Sequence, residues 1–255
     1  FKGAVVAYGK QDYDMRGLHR DYIGFSERGI IAAEAPNGIV SELVIFPDVE
    51  KRMEAFIRAS HRGRIHPGGA GTAEEMLTIL GVKSHPANAD IPYPLDLVEG
   101  PGGEYVRHLR DWIKTCFGDA LDGLFDVHVG TPRDYAEHVR RTNEDLDWTR
   151  LWNDHLYFPP EMQQPFQVTF ESMEALDLSR DQEPFDLLVN LRRFFSALVH
   201  LAVKDPDASA TWGGELPRIY GDPEILRATD DLIRWFAADG RMKLHGEYRP
   251  PYRIS

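Results

Sequence analysis

Ten consecutive residues, 66 to 75, form the part of this sequence best suited to hold an anion and act on the molecule that carries it. They read HPGGAGTAEE and bring together three glycines, a threonine and two adjacent glutamates. A glycine-rich turn that leads into a helix exposes backbone N–H groups at the positive end of the helix dipole, and this combination binds phosphate. A carboxylate beside such an anion can serve in acid–base chemistry.

A purely structural interpretation of the same residues is also open. Thr72 can cap a helix and Glu75, three positions later, can complete a capping box, with the glycines making the turn. Two known phosphate motifs are excluded, because Glu74 stands where a dinucleotide fingerprint starting at Gly69 needs glycine or alanine, and a Walker loop needs lysine. Three glycines in four positions are unfavourable unless something approaches the main chain closely. Local residue types leave phosphate binding and helix capping as alternatives.

A positive charge is expected near this segment if it holds a phosphate, because Glu75 and the anion would repel each other. Arg52 is the candidate, about one turn past the start of a helix predicted at residues 47–61 and to one side of its apolar face. A single arginine on such a helix is usually solvated. The combination of arginine, glycine turn and glutamate is harder to attribute to solvation alone.

The sequence PGGAGTAEE at residues 67–75 matches the P-G-G-x-G-T-x-x-E motif of the LOG-type phosphoribohydrolases. Arg52 stands 15 positions before Pro67, as the helix arginine of that family does. The resemblance extends over nearly the whole chain to one branch, the larger bacterial pyrimidine/purine nucleotide 5'-monophosphate nucleosidases. The stretches that carry it lie at residues 29–37, 47–58, 67–77, 190–199 and 221–244.

This resemblance implies hydrolysis of the N-glycosidic bond of a purine or pyrimidine nucleoside monophosphate, without a cofactor or metal. The residues that it assigns to the 5'-phosphate are Gly68, Gly69, Gly71 and Thr72. The catalytic pair that it implies is Glu75 with Arg52, and Glu74 is the second candidate because the motif register alone separates the two glutamates. Such residue types suit an oxocarbenium-like transition state, in which a carboxylate stabilises positive charge or deprotonates water.

Two departures from the family pattern favour other functions. Met53 stands where many members have a lysine, and the segment ASHRGRIH at 59–66 is more polar than the usual strand before the loop. A nucleotide or alarmone sensing module without catalysis is therefore one alternative, and a cytokinin-type phosphoribohydrolase is another. The long C-terminal region argues against the second. In the larger nucleosidases (p)ppGpp is a regulator, so the resemblance also implies this alarmone as a partner, at no specified residue.

The elements that must position these residues alternate along the chain. Strands are predicted at residues 21–25, 29–35, 91–98 and 125–130, with an extended segment at 62–65. Helices are predicted at 47–61, 72–80 with Gly81 as the stop, 105–117, 132–141, 184–204 and 222–240. This order predicts an α/β fold, a Rossmann-like open parallel sheet flanked by helices, within residues 1–145. Residues 146–255 are predicted to form a mainly helical C-terminal domain that supports homo-oligomer assembly or regulation.

Composition narrows the partners and the compartment. A formal charge of −12 argues against nucleic acid and anionic membranes as partners, and no apolar run approaches the roughly 20 residues of a membrane helix. The single cysteine favours a cytoplasmic protein. His61 and His66 lack a third metal ligand nearby, and Arg192 and Arg193 are expected to reach solvent from an amphipathic helix. Because the chain begins without methionine, we expect it to start inside a longer protein that supplies an earlier strand.

Overall fold

A computed structural model of the chain describes residues 23–28, 40, 42–143, 146, 155–205, 207–244 and 246–254. They fall into two compact units, one within residues 1–56 and the other within residues 57–255. The fold is α/β, as predicted, with parallel sheets flanked by helices. Among the described residues, no helix is both long and apolar enough to cross a lipid bilayer.

The first unit contains a pair of parallel strands and the start of a helix. Strand β1 (Ile23–Glu27) pairs with β2 (Glu42–Phe46), and helix α1 (Val49–Arg58) follows and continues past the unit boundary. Phe25 lies against Phe46 and Phe56, with ring centroids 5.3 and 5.2 Å apart. The strand predicted at 21–25 is thus found two residues later, and the one predicted at 29–35 lies outside the described residues.

The second unit contains a three-stranded parallel sheet in the order β3-β4-β5. Its strands are β3 (Gly63–Ile65), β4 (Leu95–Glu99) and β5 (Asp126–Val129). In β3 the backbone alternates, so that Gly63 and Ile65 are buried and the Arg64 side chain is exposed. The predicted extended segment before the glycines is therefore confirmed. Its arginines avoid burial in apolar surroundings by lying at the strand surface or by pairing, as Arg62 does with Asp96.

Three helices alternate with these strands: α2 (Ala70–Ser84), α3 (Tyr105–Phe117) and α4 (Pro132–Thr142). The last two agree closely with the prediction, and Thr131 and Asp134 form a capping box at the start of α4. The prediction that Gly81 ends α2 is wrong, because the helix continues to Ser84. A Cβ on Gly81 would lie 2.0 Å from Cε of Met162, so this glycine gives room to a packed side chain instead of stopping the helix.

The C-terminal region is mainly helical, as predicted. Its helices are α5 (Pro160–Gln163), α6 (Phe170–Glu174), α7 (Pro184–Val199), which continues as a π-helical turn over His200–Lys204, and α8 (Pro223–Ala238). The Asp222 side chain caps α8 by accepting from the Glu224 N–H, as the sequence suggested. Three short parallel strands were not predicted: β6 (Asp177–Leu178), β7 (Arg218–Gly221) and β8 (Arg253–Ile254).

The core of the second unit forms where α2 packs on α7 and α3 packs on α8. Trp112 of α3 donates from Nε1 to Thr229 Oγ1 of α8 at 3.0 Å and meets the Phe195 ring edge-on at 5.5 Å. The expectation that Arg192 reaches solvent is wrong: only 1% of this residue is exposed. Its Nη2 donates to the backbone carbonyls of Glu161 and Gln164, each at 3.4 Å.

Candidate functional site

The glycine-rich segment forms the turn between β3 and α2, at the carboxyl edge of the parallel sheet. Gly69 is the N-cap of α2, and the first main-chain bond of the helix runs from the Ala73 N–H to the Gly69 carbonyl at 3.1 Å. The N–H groups of Ala70, Gly71 and Thr72 therefore have no partner within the helix. Such unpaired donors at the positive end of a 15-residue helix are what a phosphate site requires.

The capping box, the structural alternative for these residues, does not form. The helix starts at Ala70, two residues before the predicted start, and no side chain caps it. Thr72 is consequently the third helical residue, and Glu75 lies in the second turn instead of completing a box in the first. The pattern T-x-x-E is present, but the glycines let the helix begin earlier, so the pattern has no free end to close.

The glycines are explained by two close approaches to the main chain. A Cβ on Gly68 would lie 2.0 Å from Thr72 Oγ1, so the threonine side chain folds back over the turn. A Cβ on Gly69 would lie 2.1 Å from the carbonyl oxygen of Arg241. At Gly71 the nearest atom, on Val199, would be 3.9 Å away, which is ordinary contact. Two of the three glycines thus serve packing around the turn.

The two glutamates occupy different environments on α2. Glu74 is buried, with 3% of the residue exposed, whereas Glu75 is half-buried and in contact with solvent. Side chains on a helix lean toward its N-terminus, which directs the Glu75 carboxylate back toward the turn. Of the two predicted catalytic carboxylates, Glu75 is therefore the one that a substrate on the turn could reach.

Two residues from outside the motif, the aromatic Tyr105 and the cationic Arg241, lie near the turn. Tyr105, the first residue of α3, is fully buried, and Glu99 fixes its position by accepting from the N–H groups of Tyr105 and Val106. Burial raises the pKa of Tyr105, while Arg241 and the Gly68 N–H oppose this shift and Glu75 adds to it. Tyr105 thus lies within electrostatic range of the turn, Glu75 and Arg241.

Comparison with known proteins gives sequence matches over nearly the full chain. Residues 4–121 match a family described as possible lysine decarboxylase, and residues 136–255 match the C-terminal part of the pyrimidine/purine nucleotide monophosphate nucleosidases. Over 264 positions the chain is 38% identical to the pyrimidine/purine nucleotide 5'-monophosphate nucleosidase of three Escherichia coli strains. The chain is thus similar to LOG-type proteins over its first half and to the nucleotide monophosphate nucleosidases along nearly its whole length.

The match to these relatives covers 99% of this chain and 57% of each relative. The chain therefore spans somewhat more than half the length of the curated relatives it matches. The matched part includes the whole glycine segment and the C-terminal stretch with Arg241.

Arg52, the arginine that the resemblance implies as a catalytic residue, lies on α1 in the first unit, and the turn belongs to the second. It is 8% exposed, and its guanidinium lies 5.9 Å from the centroid of the Phe56 ring. The neighbouring Met53 is buried at 3% exposure. Met53 is therefore a core residue. Because a lysine at this position would bury its charge, the methionine does not argue against catalysis.

A second polar cluster lies at the opposite, amino edge of the sheet. Asp96 accepts from Arg62 at 2.6 Å, from the Tyr135 hydroxyl at 2.6 Å and from His138 at 3.2 Å. Burial alone would raise the pKa of Asp96, but these hydrogen bonds outweigh it and hold the pKa below its usual value. Asp96, Asp126 and His138 have the composition of a metal site. The Asp96 carboxylate is already committed to three donors, so the cluster fits a structural role.

Sequence reasoning found the turn and both glutamates but missed Tyr105 and Arg241. Tyr105 was placed only as the start of a predicted helix, and Arg241 followed the end of another. A detectable signal was the expected cation beside the turn, which residue types assigned to Arg52. No spacing rule connects Gly69 with an arginine 172 positions later.

Proposed function

We propose that the protein hydrolyses the N-glycosidic bond of nucleoside 5'-monophosphates, giving a free base and ribose 5-phosphate. The observation that carries this proposal is the turn between β3 and α2, where unpaired N–H groups and Glu75 lie within one helical segment. The match to the relatives named as nucleotide 5'-monophosphate nucleosidases covers that segment. A phosphate on the turn and a carboxylate one helical turn away suit a phosphorylated ribose bound through its 5' end.

In the proposed reaction, the N–H groups at the start of α2 and Thr72 hold the 5'-phosphate and thereby fix the ribose. Glu75 stabilises the positive charge that develops at C1' as the bond to the base breaks, or removes a proton from the attacking water. The water oxygen becomes the C1 hydroxyl of ribose 5-phosphate, and the base leaves with the bonding electrons and takes up a proton. The resemblance implies Arg52 as the second member of the catalytic pair, and an arginine in that role would offset negative charge.

The test is release of free base from AMP, GMP and pyrimidine monophosphates by the protein and its Glu75→Ala variant. We expect the variant to lose turnover by at least about 100-fold, the low end for removal of a general base. Glu74→Ala is the matched control for the same helix and the same change, and it should retain more activity because its side chain is buried. Undiminished turnover in Glu75→Ala would overturn the assignment of this residue.

A nucleotide-sensing function without catalysis is the alternative outcome of the same test. Its two supporting arguments have weakened, because β3 forms a regular strand and Met53 is a core residue. Calorimetry that shows nucleotide or (p)ppGpp binding, together with no base release from any monophosphate by the wild-type protein, would favour it.

Regulation and assembly are proposed from the superfamily resemblance. We propose (p)ppGpp as a regulator, a homo-oligomer as the working assembly and the cytoplasm as the compartment. One feature supports assembly: β5 lies at the edge of its sheet and exposes Val127 by 40% and Val129 by 51%. Light scattering coupled to size-exclusion chromatography should give a mass that is a multiple of the chain mass, and a monomer at micromolar concentration would contradict the proposed assembly.

A further inference from the structure

The chain returns to the glycine turn after α8. Gly240 adopts a left-handed conformation with φ of 67°, and the Arg241 N–H bonds to the Phe236 carbonyl at 2.8 Å. This reversal places Arg241 against Gly69, whose added Cβ would lie 2.1 Å from the Arg241 carbonyl oxygen and 3.7 Å from its Cβ. The contact is too close for any residue but glycine at position 69, so the arginine backbone is fixed relative to the turn.

The guanidinium of Arg241 is held in place by two aromatic rings and one carboxylate. Its Cζ lies 5.2 Å from the centroid of the Tyr105 ring and 5.1 Å from that of Trp235. Nε lies 2.7 Å from a carboxylate oxygen of Asp239. No described residue accepts a hydrogen bond from the two terminal amino groups. Aromatic faces and one carboxylate thus orient a charged fork whose outer donors remain available.

Tyr105 gives an independent sign that a ligand belongs here. The residue is fully buried, and its hydroxyl makes no hydrogen bond with any described residue. The Gly68 N–H points to this oxygen as a donor, which leaves the hydroxyl proton without an acceptor. Buried hydroxyls nearly always have a hydrogen-bond partner. The Tyr105 hydroxyl, beside the glycine turn, therefore has room for an acceptor that the protein does not supply. A phosphate oxygen on the turn would supply that acceptor.

With a phosphate bound, the negative charge around the turn would need to be offset by a cation from outside the motif. Glu75 places a negative charge near the Tyr105 hydroxyl, and a phosphate dianion on the same helix end would add two more. The helix dipole contributes only about half a positive charge. An arginine fork binds phosphate with two parallel hydrogen bonds, and these are stronger than bonds between neutral groups.

We propose that Arg241 binds the 5'-phosphate of the substrate at the glycine turn, with Tyr105 and Trp235 as the positioning residues that seat its guanidinium. This inference rests on the proposed function for the identity of the substrate, but it concerns phosphate binding and not bond cleavage. It gives the C-terminal region a direct part in the site. On this basis, a protein with the motif alone binds the substrate more weakly than one that also has the segment after α8.

The experiment measures binding of ribose 5-phosphate, inorganic phosphate and unphosphorylated ribose to the full chain by calorimetry. Arg241→Gln should weaken ribose 5-phosphate and phosphate binding by about 10- to 100-fold, the range for loss of charged hydrogen bonds, and leave ribose unchanged. Arg241→Lys keeps the charge without the fork and should fall between the two proteins. Arg218→Gln is the matched control, since Arg218 also lies over a tyrosine ring, at 5.4 Å, and should bind like wild type.

Three results would overturn the inference. They are unchanged phosphate affinity in Arg241→Gln, an equal loss for ribose and ribose 5-phosphate, and a wild-type protein that does not bind phosphate. The thermal midpoint of each variant separates misfolding from lost binding, and Arg241→Lys provides the test if the glutamine variant is unfolded. If wild type binds ribose 5-phosphate but releases no base from any monophosphate, the proposed function fails while the role of Arg241 is still decided by these affinities.

Discussion

At the scale of single residues, glycines form the turn on which the site is built. Gly68 and Gly69 make room for Thr72 and for the carbonyl of Arg241, and the same lack of side chains leaves the N–H groups at the start of α2 uncovered. Packing and binding therefore need the same residues. The sequence showed that something must approach these glycines, but residue types could not show that the approaching group comes from the far end of the chain.

Gly69→Ala should destabilise the protein. The backbone of Gly69, with φ of −127°, suits any residue, so the effect is steric: the new Cβ would lie 2.1 Å from a backbone oxygen that cannot rotate away. We expect a loss of about 1–3 kcal/mol in the free energy of unfolding, as for overpacked cores. Urea unfolding measures it.

Gly71→Ala is the control for that substitution. It lies in the first turn of the same helix, where its Cβ would have ordinary contact, at 3.9 Å from Val199. Alanine favours helix over glycine, so stability should stay the same or rise by up to about 1 kcal/mol. Equal urea midpoints for the alanine variants at 69 and 71 would show that the approach of Arg241 does not constrain the turn.

At the scale of elements, local patterns predicted most helices well. Pro132 and Pro223 mark the starts of α4 and α8 because proline suits the first helical turn and leaves no donor unpaired there. The prediction that Gly81 ends α2 was wrong, because this glycine is required by a tertiary contact with Met162. The two-residue strands β6 and β8 were missed because so few residues show no periodicity.

The Asp96 network ties the start of β4 to β3 and α4, and Asp96→Asn tests it. The substitution leaves Arg62, whose side chain is only 9% exposed, without its carboxylate, so we expect a loss of about 3–5 kcal/mol at neutral pH. Asp119→Asn is the control, because the Lys114–Asp119 pair is exposed and screened by solvent, so its loss should change stability little. A loss in Asp96→Asn no larger than in the control would contradict the structural role of the network.

The same network predicts the pH dependence of stability. Because the folded-state pKa of Asp96 is lower than the unfolded value of about 3.9, its contribution is present above that value and is lost as pH falls through the folded pKa. In Asp96→Asn this part of the acid destabilisation should disappear. Unfolding free energies measured from neutral pH to about pH 3 would show it as a shallower slope, and an unchanged slope would assign the acid sensitivity to other carboxylates.

At the scale of the whole molecule, the long-range contacts are what the sequence could not supply. The motif and Arg241 stand 172 positions apart, and only folding α8 against α3 brings them together. Alternation of strands and helices predicted the α/β class, since few architectures satisfy that order. It could not predict which helix end returns to which turn, because many side chains satisfy the same apolar pattern.

Cys116 reports on this α3–α8 packing. The thiol is buried at 2% exposure, and burial raises its pKa to about 12. Alkylation requires the thiolate, so the native protein at pH 8 should react at least about 100-fold more slowly than the urea-unfolded protein. Mass spectrometry of iodoacetamide-treated samples measures both rates. Native labelling as fast as that of the unfolded chain would mean that the two helices do not stay packed.

The central claim is that bound nucleotide loses its base and keeps its phosphate. Incubating AMP with the protein in water enriched in oxygen-18, followed by mass spectrometry of the products, tests it most directly. We predict adenine and ribose 5-phosphate in equal amounts, with one labelled oxygen on C1 of the sugar. Adenosine with the label in inorganic phosphate, or AMP returned intact, would contradict the account.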